Sequence, residues 1–242
     1  MSLESLRAET RMKDGQWGTA LHGLEFVGLA CSGKSALADG VAGALRARGV
    51  PFVSRAAYSD SRLTPALARH PRRAHAWWRV MRRHVADRTL RRALLREACM
   101  LTYQSLHWSE RRMLLVRDEG LFQLLRSLRR ASGTDLTLDA LLANEPFDLL
   151  VPPTTRMVVL VEIDVDTLIR RARDRDGRVV TPVEAADAVS RVDFTRKDLA
   201  ALRSRLPATH VVSVRNDLTS DLNATVERLG AEVADRCVTT GV

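Results

Sequence analysis

The stretch GLACSGKS, residues 28–35, decides the fold expected for this chain. It has the pattern G-x-x-x-x-G-K-[ST], follows the apolar run at 24–27 and precedes an amphipathic segment at 36–48. A strand, a glycine-rich loop and a helix in this order are typical of a phosphate-binding loop, because backbone N–H groups and the helix N-terminus surround phosphate oxygens. Lys34 is expected to reach the β- and γ-phosphates of a nucleoside triphosphate, and the Ser35 hydroxyl to bind Mg²⁺.

Lysine is rare in this chain, so its place in the pattern is informative. Only three of the 242 residues are lysine, and one of them is Lys34. The Cys31 thiol has no paired base in the surrounding sequence, so only its backbone N–H is expected to take part. The predicted nucleotide ligands, with Asn216 at the adenine, are Gly28, Ala30, Cys31, Ser32, Gly33, Lys34, Ser35 and Ala36.

Length and composition indicate one α/β domain at 21–242, preceded by a tail at 1–20. A chain of 242 residues that is 45% hydrophobic can bury one sizeable core. It has neither the roughly 18 uninterrupted apolar residues of a membrane span nor the apolar segment of a signal peptide at 1–18. Three scattered cysteines form no metal or disulfide pattern. We expect a cytoplasmic protein without a membrane partner, and a homodimer is one option that the sequence leaves open.

The positive charge is concentrated in one segment. Residues 69–112 hold twelve arginines and three acidic residues, an excess equal to the chain's net charge of +9. Local basic charge predicts an anionic partner. A nucleic acid is not expected, because no helix-turn-helix, RRM-like or zinc pattern accompanies the charge. The candidate substrate contacts are Arg79, Arg82 and Arg83, and Trp77, Trp78 or Tyr103 would either stack on a substrate ring or belong to the core.

Five apolar segments alternate with helical segments, which predicts a parallel sheet covered on both faces. The expected strands are 24–28, 50–54, 113–116, 157–163 and 210–214. Helices are expected at 36–48, 72–107, 121–130, 136–143, 165–175, 183–206 and 221–233, with the second either continuous or broken near Asp87. Pro146, Pro152 and Pro153 predict a loop.

Acidic residues follow two of these strands. Asp118 and Glu119 come after the third strand, where a carboxylate can hold Mg²⁺ or accept a proton. Which of the two is the metal ligand and which the base stays open. Asp60 follows the second strand and is a candidate substrate contact.

An arginine-rich segment at about 168–182 is the candidate lid. Guanidinium groups stabilise the charge that spreads over the γ-phosphate oxygens during phosphoryl transfer. Arg171 and Arg175 lie four residues apart on one helical face and are the preferred catalytic candidates, together with Lys34, Asp118 and Glu119. The segment's other arginines are Arg170, Arg173 and Arg178.

The chain resembles the P-loop kinases of the thymidylate kinase and nucleoside kinase group over most of residues 23–236. The matching segments are EFVGLACSGKS, LLVRDEG, VVLVEIDVDTLIRRARDR and HVVSVRND. The resemblance implies a three-layer α/β/α P-loop NTPase fold, a sheet ordered 2-3-1-4-5 and Mg-ATP as phosphate donor. It also implies a hydroxyl or phosphate acceptor above the carboxyl edge of the sheet. Glu119 stands where the group has arginine, and the helical acceptor-side insertion at about 55–112 departs from the group's pattern.

Two functions are compatible with these features. The first is an ATP- and Mg²⁺-dependent phosphotransferase acting on a small, anionic acceptor such as a nucleotide or nucleoside derivative. The alternative is a non-kinase ATPase, or an ATP-binding regulatory module whose basic helices bind an anionic partner.

Overall fold

The sheet has five parallel strands, as the sequence predicts. A computed structural model describes residues 21–54, 69–118, 120–133, 137–190 and 192–237. The strands are β1 (Gly23–Gly28), β2 (Phe52–Ser54), β3 (Leu114–Arg117), β4 (Arg156–Glu162) and β5 (Thr209–Arg215). Their order is β2-β3-β1-β4-β5, and every pairing is parallel. The predicted sheet and its order 2-3-1-4-5 are confirmed.

The central strand β1 leads into the predicted phosphate-binding loop at residues 28–35, called the phosphate loop below. β1 pairs with β3 through Gly23–Leu115 and with β4 through Gly28–Val161. In β4, Met157 to Val161 are all buried, because a parallel sheet with helices on both faces offers no solvent-facing side. The segment that leaves β1 therefore emerges between the carboxyl ends of its two neighbours.

Helices cover both faces of the sheet. Those along the described chain are α1 (Lys34–Ala47), α2 (Pro71–His84), α3 (Arg88–Glu110), α4 (Leu121–Ser132), α5 (Leu138–Leu142), α6 (Phe147–Leu150), α7 (Val165–Asp176), α8 (Pro182–Ser190), α9 (Val192–Arg205) and α10 (Leu222–Cys237). α1 and α10 bury Leu37, Val41 and Val233 on one face. α2, α3, α4 and α9 form the core of the other face. The three-layer α/β/α architecture is confirmed.

The basic segment forms two helices, which decides between the alternatives at Asp87. The Asp87 carboxylate accepts the backbone N–H of Leu90 at 2.7 Å and so caps the start of α3. Trp77 of α2 is 1% exposed and donates its indole N–H to the Thr102 hydroxyl of α3 at 3.1 Å. Trp77 therefore belongs to the core, and its stacking role is wrong.

The stretch predicted as one helix at 183–206 contains α8 and α9, and the single residue between them, 191, lies outside the described residues. One prediction of local structure is wrong. The proline-rich loop contains the short helix α6, which begins directly after Pro146. Proline is tolerated at a helix start because the first N–H groups have no partner inside the helix.

The tail predicted at 1–20 and the first part, 55–68, of the predicted acceptor-side insertion lie outside the described residues. Along the described ranges, none of the helices combines the length and apolar character needed to cross a membrane.

Candidate functional site

The phosphate loop joins β1 to α1 through a left-handed backbone. Gly33 has φ +82° and directly precedes the first turn of α1. A Cβ at this position would lie 2.3 Å from Nδ2 of Asn216, so neither the backbone nor the available space admits a larger residue. The loop also holds Cys31 at φ +63°. The second glycine of the motif is thus required by the fold itself.

Side chains from three elements hold the carbonyl oxygens of the loop. Nη1 of Arg126, in α4, donates to the Gly28 carbonyl at 2.8 Å. Nζ of Lys34 donates to the Leu29 carbonyl at 3.4 Å. Nδ2 of Asn216, after β5, donates to the Ser32 carbonyl at 2.7 Å. These contacts fix the loop backbone from α1, α4 and β5.

The predicted metal ligands are brought together. The Ser35 hydroxyl, in the first turn of α1, donates to Oδ2 of Asp118 at 3.0 Å. Asp118 directly follows β3, the neighbour of β1, which explains why residues 83 positions apart meet. A hydroxyl beside a carboxylate suits Mg²⁺, which commonly takes one or two carboxylates and completes its shell with substrate phosphates and water.

A cleft of about 380 Å³ opens above the loop. It is lined by Cys31, Gly33, Lys34, Ser35, Arg171, Asp174 and Arg175. Arg171 and Arg175, one turn apart on α7, therefore face the same space as Lys34. Three cations and one carboxylate line the cleft, and this charge suits a polyphosphate. Exposed Arg170 pairs with Asp174 at 3.8 Å.

Arg171 attaches α7 to the phosphate loop. Its guanidinium donates to the Ser32 carbonyl at 3.2 Å and to Oδ1 of Asn216 at 3.4 Å. Asn216 is 5% exposed, and its backbone N–H donates to the Glu162 carbonyl at 3.0 Å. Asn216 therefore supports the loop from below the lid helix. This role is additional to the predicted adenine contact, which stays a prediction.

Two carboxylates fix where the lid helix begins. Asp164 accepts the backbone N–H of Thr167 at 2.6 Å, which caps α7 and lowers the pKa of Asp164. Asp217 in turn accepts the backbone N–H of Asp164 at 2.9 Å. The loop after β5 thus sets the direction in which α7 leaves β4.

The candidate substrate residues are dispersed. Asp60 and Glu119 lie outside the described residues. Arg79 makes a two-pronged ion pair with Glu145 (Nε–Oε1 2.8 Å), whose side chain is 1% exposed, and this gives Arg79 a structural role. Arg82 lies 5.2 Å above the ring of Trp78. In the described part of the chain, neither Arg82 nor the exposed Arg83 lines the cleft.

Sequence reasoning missed two residues of the site. Asp174 is three residues from Arg171, so helical periodicity could have placed it on the same face. Arg126 had no comparable signal, because it lies in an ordinary amphipathic helix and reaches the loop only through the packing of α4 on the sheet.

The scan against protein-family models found no match to the chain, and no curated protein matched it. Function is therefore inferred from the site itself.

Proposed function

We propose that the chain is an ATP- and Mg²⁺-dependent phosphotransferase that moves the γ-phosphoryl group of ATP to a small-molecule acceptor. One observation carries the proposal. Lys34, the Ser35–Asp118 pair and the two lid arginines belong to one cationic site above the phosphate loop.

The donor phosphates would lie against the loop and the start of α1. Backbone N–H groups at a helix N-terminus bind anions because they have no partners within the helix. Lys34 is held beside the loop by its contact with the Leu29 carbonyl, and its ammonium would move onto the β- and γ-phosphates. The contacts at Gly28 and Ser32 keep the loop in shape, so little reorganisation is required.

Ser35 and Asp118 would hold Mg²⁺. When bound, the ion would supply positive charge that neutralises the negative charge developing on the donor phosphates. The hydrogen bond between Ser35 and Asp118 already orients both oxygen ligands. This contact favours Asp118 as the metal-side acid, and Glu119 is then the proposed base.

The transfer step would use the wall of the cleft that α7 forms, where Arg171 and Arg175 lie. An acceptor oxygen forms a bond to the γ-phosphorus, and the bond from that phosphorus to the β–γ bridging oxygen breaks, releasing ADP. The acceptor's proton, where it has one, passes to the carboxylate base. Arg171 and Arg175 would stabilise the charge on the equatorial oxygens, because a planar guanidinium fork matches phosphate geometry.

The acceptor is proposed to be anionic, for example a nucleotide or a related phosphate ester. The concentration of arginine in α2 and α3 supports a negatively charged acceptor. Arg82 and Arg83 stay candidates for its contacts, whereas Arg79 is left out because Glu145 holds it.

A screen for ADP release tests this function. Mg-ATP is incubated with nucleosides, nucleoside monophosphates, sugars and aminoglycosides in turn, for wild type, Lys34→Ala and Lys197→Ala. We expect one acceptor class to stimulate ADP release, and Lys34→Ala to reduce the stimulated rate by about 100-fold or more, since it removes a preorganised cation. Lys197, an exposed lysine over the Phe194 ring, is the matched control and should keep the wild-type rate.

A second function, an ATP-binding module for an anionic partner, is supported by the exposed arginines of α2 and α3. Within the described ranges these have no carboxylate partner: Arg72, Arg82, Arg83, Arg88 and Arg92. Like charges at the i and i+4 positions, as in Arg88 and Arg92, destabilise a helix unless an anion compensates them.

The two functions give different results in one pair of assays. Retention on immobilised nucleic acid that depends on Mg-ATP, without acceptor-stimulated ADP release, favours the module. Acceptor-stimulated release that requires Lys34, without such retention, favours the phosphotransferase.

A further inference from the structure

A buried carboxylate on the central strand contacts the segment that carries Asp118. Glu25 of β1 is 8% exposed, and its Oε1 accepts the backbone N–H of Phe122, in the first turn of α4, at 3.1 Å. The carboxylate therefore occupies the positive end of a twelve-residue helix. Neither the loop motif nor the proposed chemistry uses Glu25.

Close packing at Gly120 shows how tightly this contact is built. A Cβ on Gly120 would lie 2.5 Å from the carboxylate carbon of Glu25 and 2.7 Å from each of its oxygens. Only glycine leaves room for the carboxylate to reach the start of α4. The Glu25 side chain and the Gly120 backbone therefore form a single interlocked contact.

This contact fixes both ends of the link between β3 and α4. At one end, Glu25 is the register partner of Arg117, the last residue of β3. At the other end, its carboxylate holds Phe122. Asp118 lies between these two points and meets Ser35 at 3.0 Å. Three residues after Glu25, the same strand reaches Gly28 and becomes the phosphate loop.

Two buried arginines balance the charge of this carboxylate. Burial raises the pKa of Glu25, and Arg117 and Arg156, both less than 10% exposed, oppose part of that rise by favouring the ionised carboxylate. Arg117 is itself held by the Gln104 side chain at 2.9 Å, and Arg156 by the Pro152 carbonyl at 2.5 Å. The buried carboxylate is thus compensated by two guanidinium groups whose own positions are fixed by hydrogen bonds.

We infer that Glu25 is a positioning residue for Mg²⁺: it holds the link that presents the Asp118 carboxylate to Ser35 beside the phosphate loop. The inference rests on the proposed function, because it assigns Glu25 to the metal half of nucleotide binding. Glu25 acts through Asp118 and does not itself contact the nucleotide or the ion.

The test separates metal-dependent from metal-free nucleotide binding. ATP binding is measured by titration calorimetry in EDTA and over a series of Mg²⁺ concentrations, for wild type and Glu25→Gln. We expect Glu25→Gln to raise the Mg²⁺ concentration that half-maximally tightens ATP binding by roughly tenfold, as for other residues that orient metal ligands. Its ATP affinity in EDTA should stay within about twofold of wild type, since the loop and Lys34 are unchanged.

Three further variants make the result specific. Glu162→Gln, on the neighbouring strand β4, removes a carboxylate that pairs with Arg196 at 2.8 Å and should leave the Mg²⁺ dependence unchanged. Gly120→Ala displaces the carboxylate sterically and should reproduce the metal-specific loss if Glu25→Gln does not fold. Adding Glu25→Gln to Asp118→Asn should cause no further loss, because both act through one ligand.

Equal losses in EDTA and in Mg²⁺ for Glu25→Gln, or a Mg²⁺ dependence identical to that of Glu162→Gln, would overturn the role of Glu25 while leaving the proposed function intact. Wild-type protein that binds no ATP in either buffer would overturn the proposed function and, with it, this role.

Discussion

Arginine serves two different purposes in the phosphate-loop region and in the basic helices α2 and α3. Near the loop, two guanidinium groups bind particular backbone atoms: Arg126 contacts the Gly28 carbonyl, and Arg171 contacts the Ser32 carbonyl. On the basic helices, five exposed arginines have no carboxylate partner in the described part of the chain. In the first region arginine makes specific hydrogen bonds, whereas in the second its exposed charges contribute jointly to a positive electrostatic potential.

This difference determines how each region should respond to mutation. Removing a group that holds the loop displaces atoms that a ligand would contact, so binding and stability fall together. Removing one exposed charge lowers a field to which many others contribute, and surface charges are screened by solvent and salt. Single substitutions should therefore have large effects in the loop region and small effects on the basic helices.

The largest effect on stability is expected at the loop glycine. Gly33→Ala places a side chain at φ +82° and against the Asn216 amide, and should lower the free energy of unfolding by about 1–3 kcal/mol. Gly43→Ala, within the following helix α1 and with nothing within 4 Å of the added Cβ, should raise it by roughly 0.5–1 kcal/mol. Urea unfolding measures both, and a similar response from the two variants would argue against a strained loop.

An intermediate effect is expected at the residue that supports the loop. Asn216→Ala removes the hydrogen bonds to the Ser32 carbonyl and from Arg171, so ATP affinity should fall by about tenfold, equivalent to roughly 1.4 kcal/mol. Asn223→Ala, an exposed asparagine in α10, is the control and should bind ATP as wild type does. Equal ATP affinities for the two variants would contradict the role of Asn216 in supporting the loop.

The smallest effects should occur on the basic helices, and they should differ between neighbours. Arg83→Gln removes an exposed charge and should leave the thermal unfolding midpoint nearly unchanged. Arg79→Gln, one turn earlier, should lower the midpoint, because the buried Glu145 carboxylate loses its partner. If Arg83→Gln were as destabilising as Arg79→Gln, the exposed arginines would stabilise the fold rather than only contribute positive surface charge.

The pattern at residues 28–35 predicts a strand, a loop and a helix in this order, and the structure has β1, the loop and α1 there. The motif and the family resemblance together led to the correct sheet order. Helical spacing placed Arg171 and Arg175 on one face, and the structure puts both on the cleft. In each case a local pattern carried the information.

Contacts that depend on tertiary packing had no such pattern. Arg126 and Glu25 make their contacts because α4 packs beside β1. Their neighbouring residues form no pattern from which these contacts could be predicted. On the basic helices, composition indicated the positive charge but could not show that Arg79 forms an ion pair with Glu145.

Titration of wild type, Lys34→Ala and Lys197→Ala with ATP in excess Mg²⁺ is the most direct test of the central claim, that residues 28–35 form a nucleotide site. We predict one binding site in wild type and Lys197→Ala, and at least about tenfold weaker binding in Lys34→Ala. The thermal midpoint of Lys34→Ala should fall only slightly, because the contact that it loses at the Leu29 carbonyl is long, at 3.4 Å. Wild-type protein without measurable binding, or Lys34→Ala with wild-type affinity, would contradict the claim.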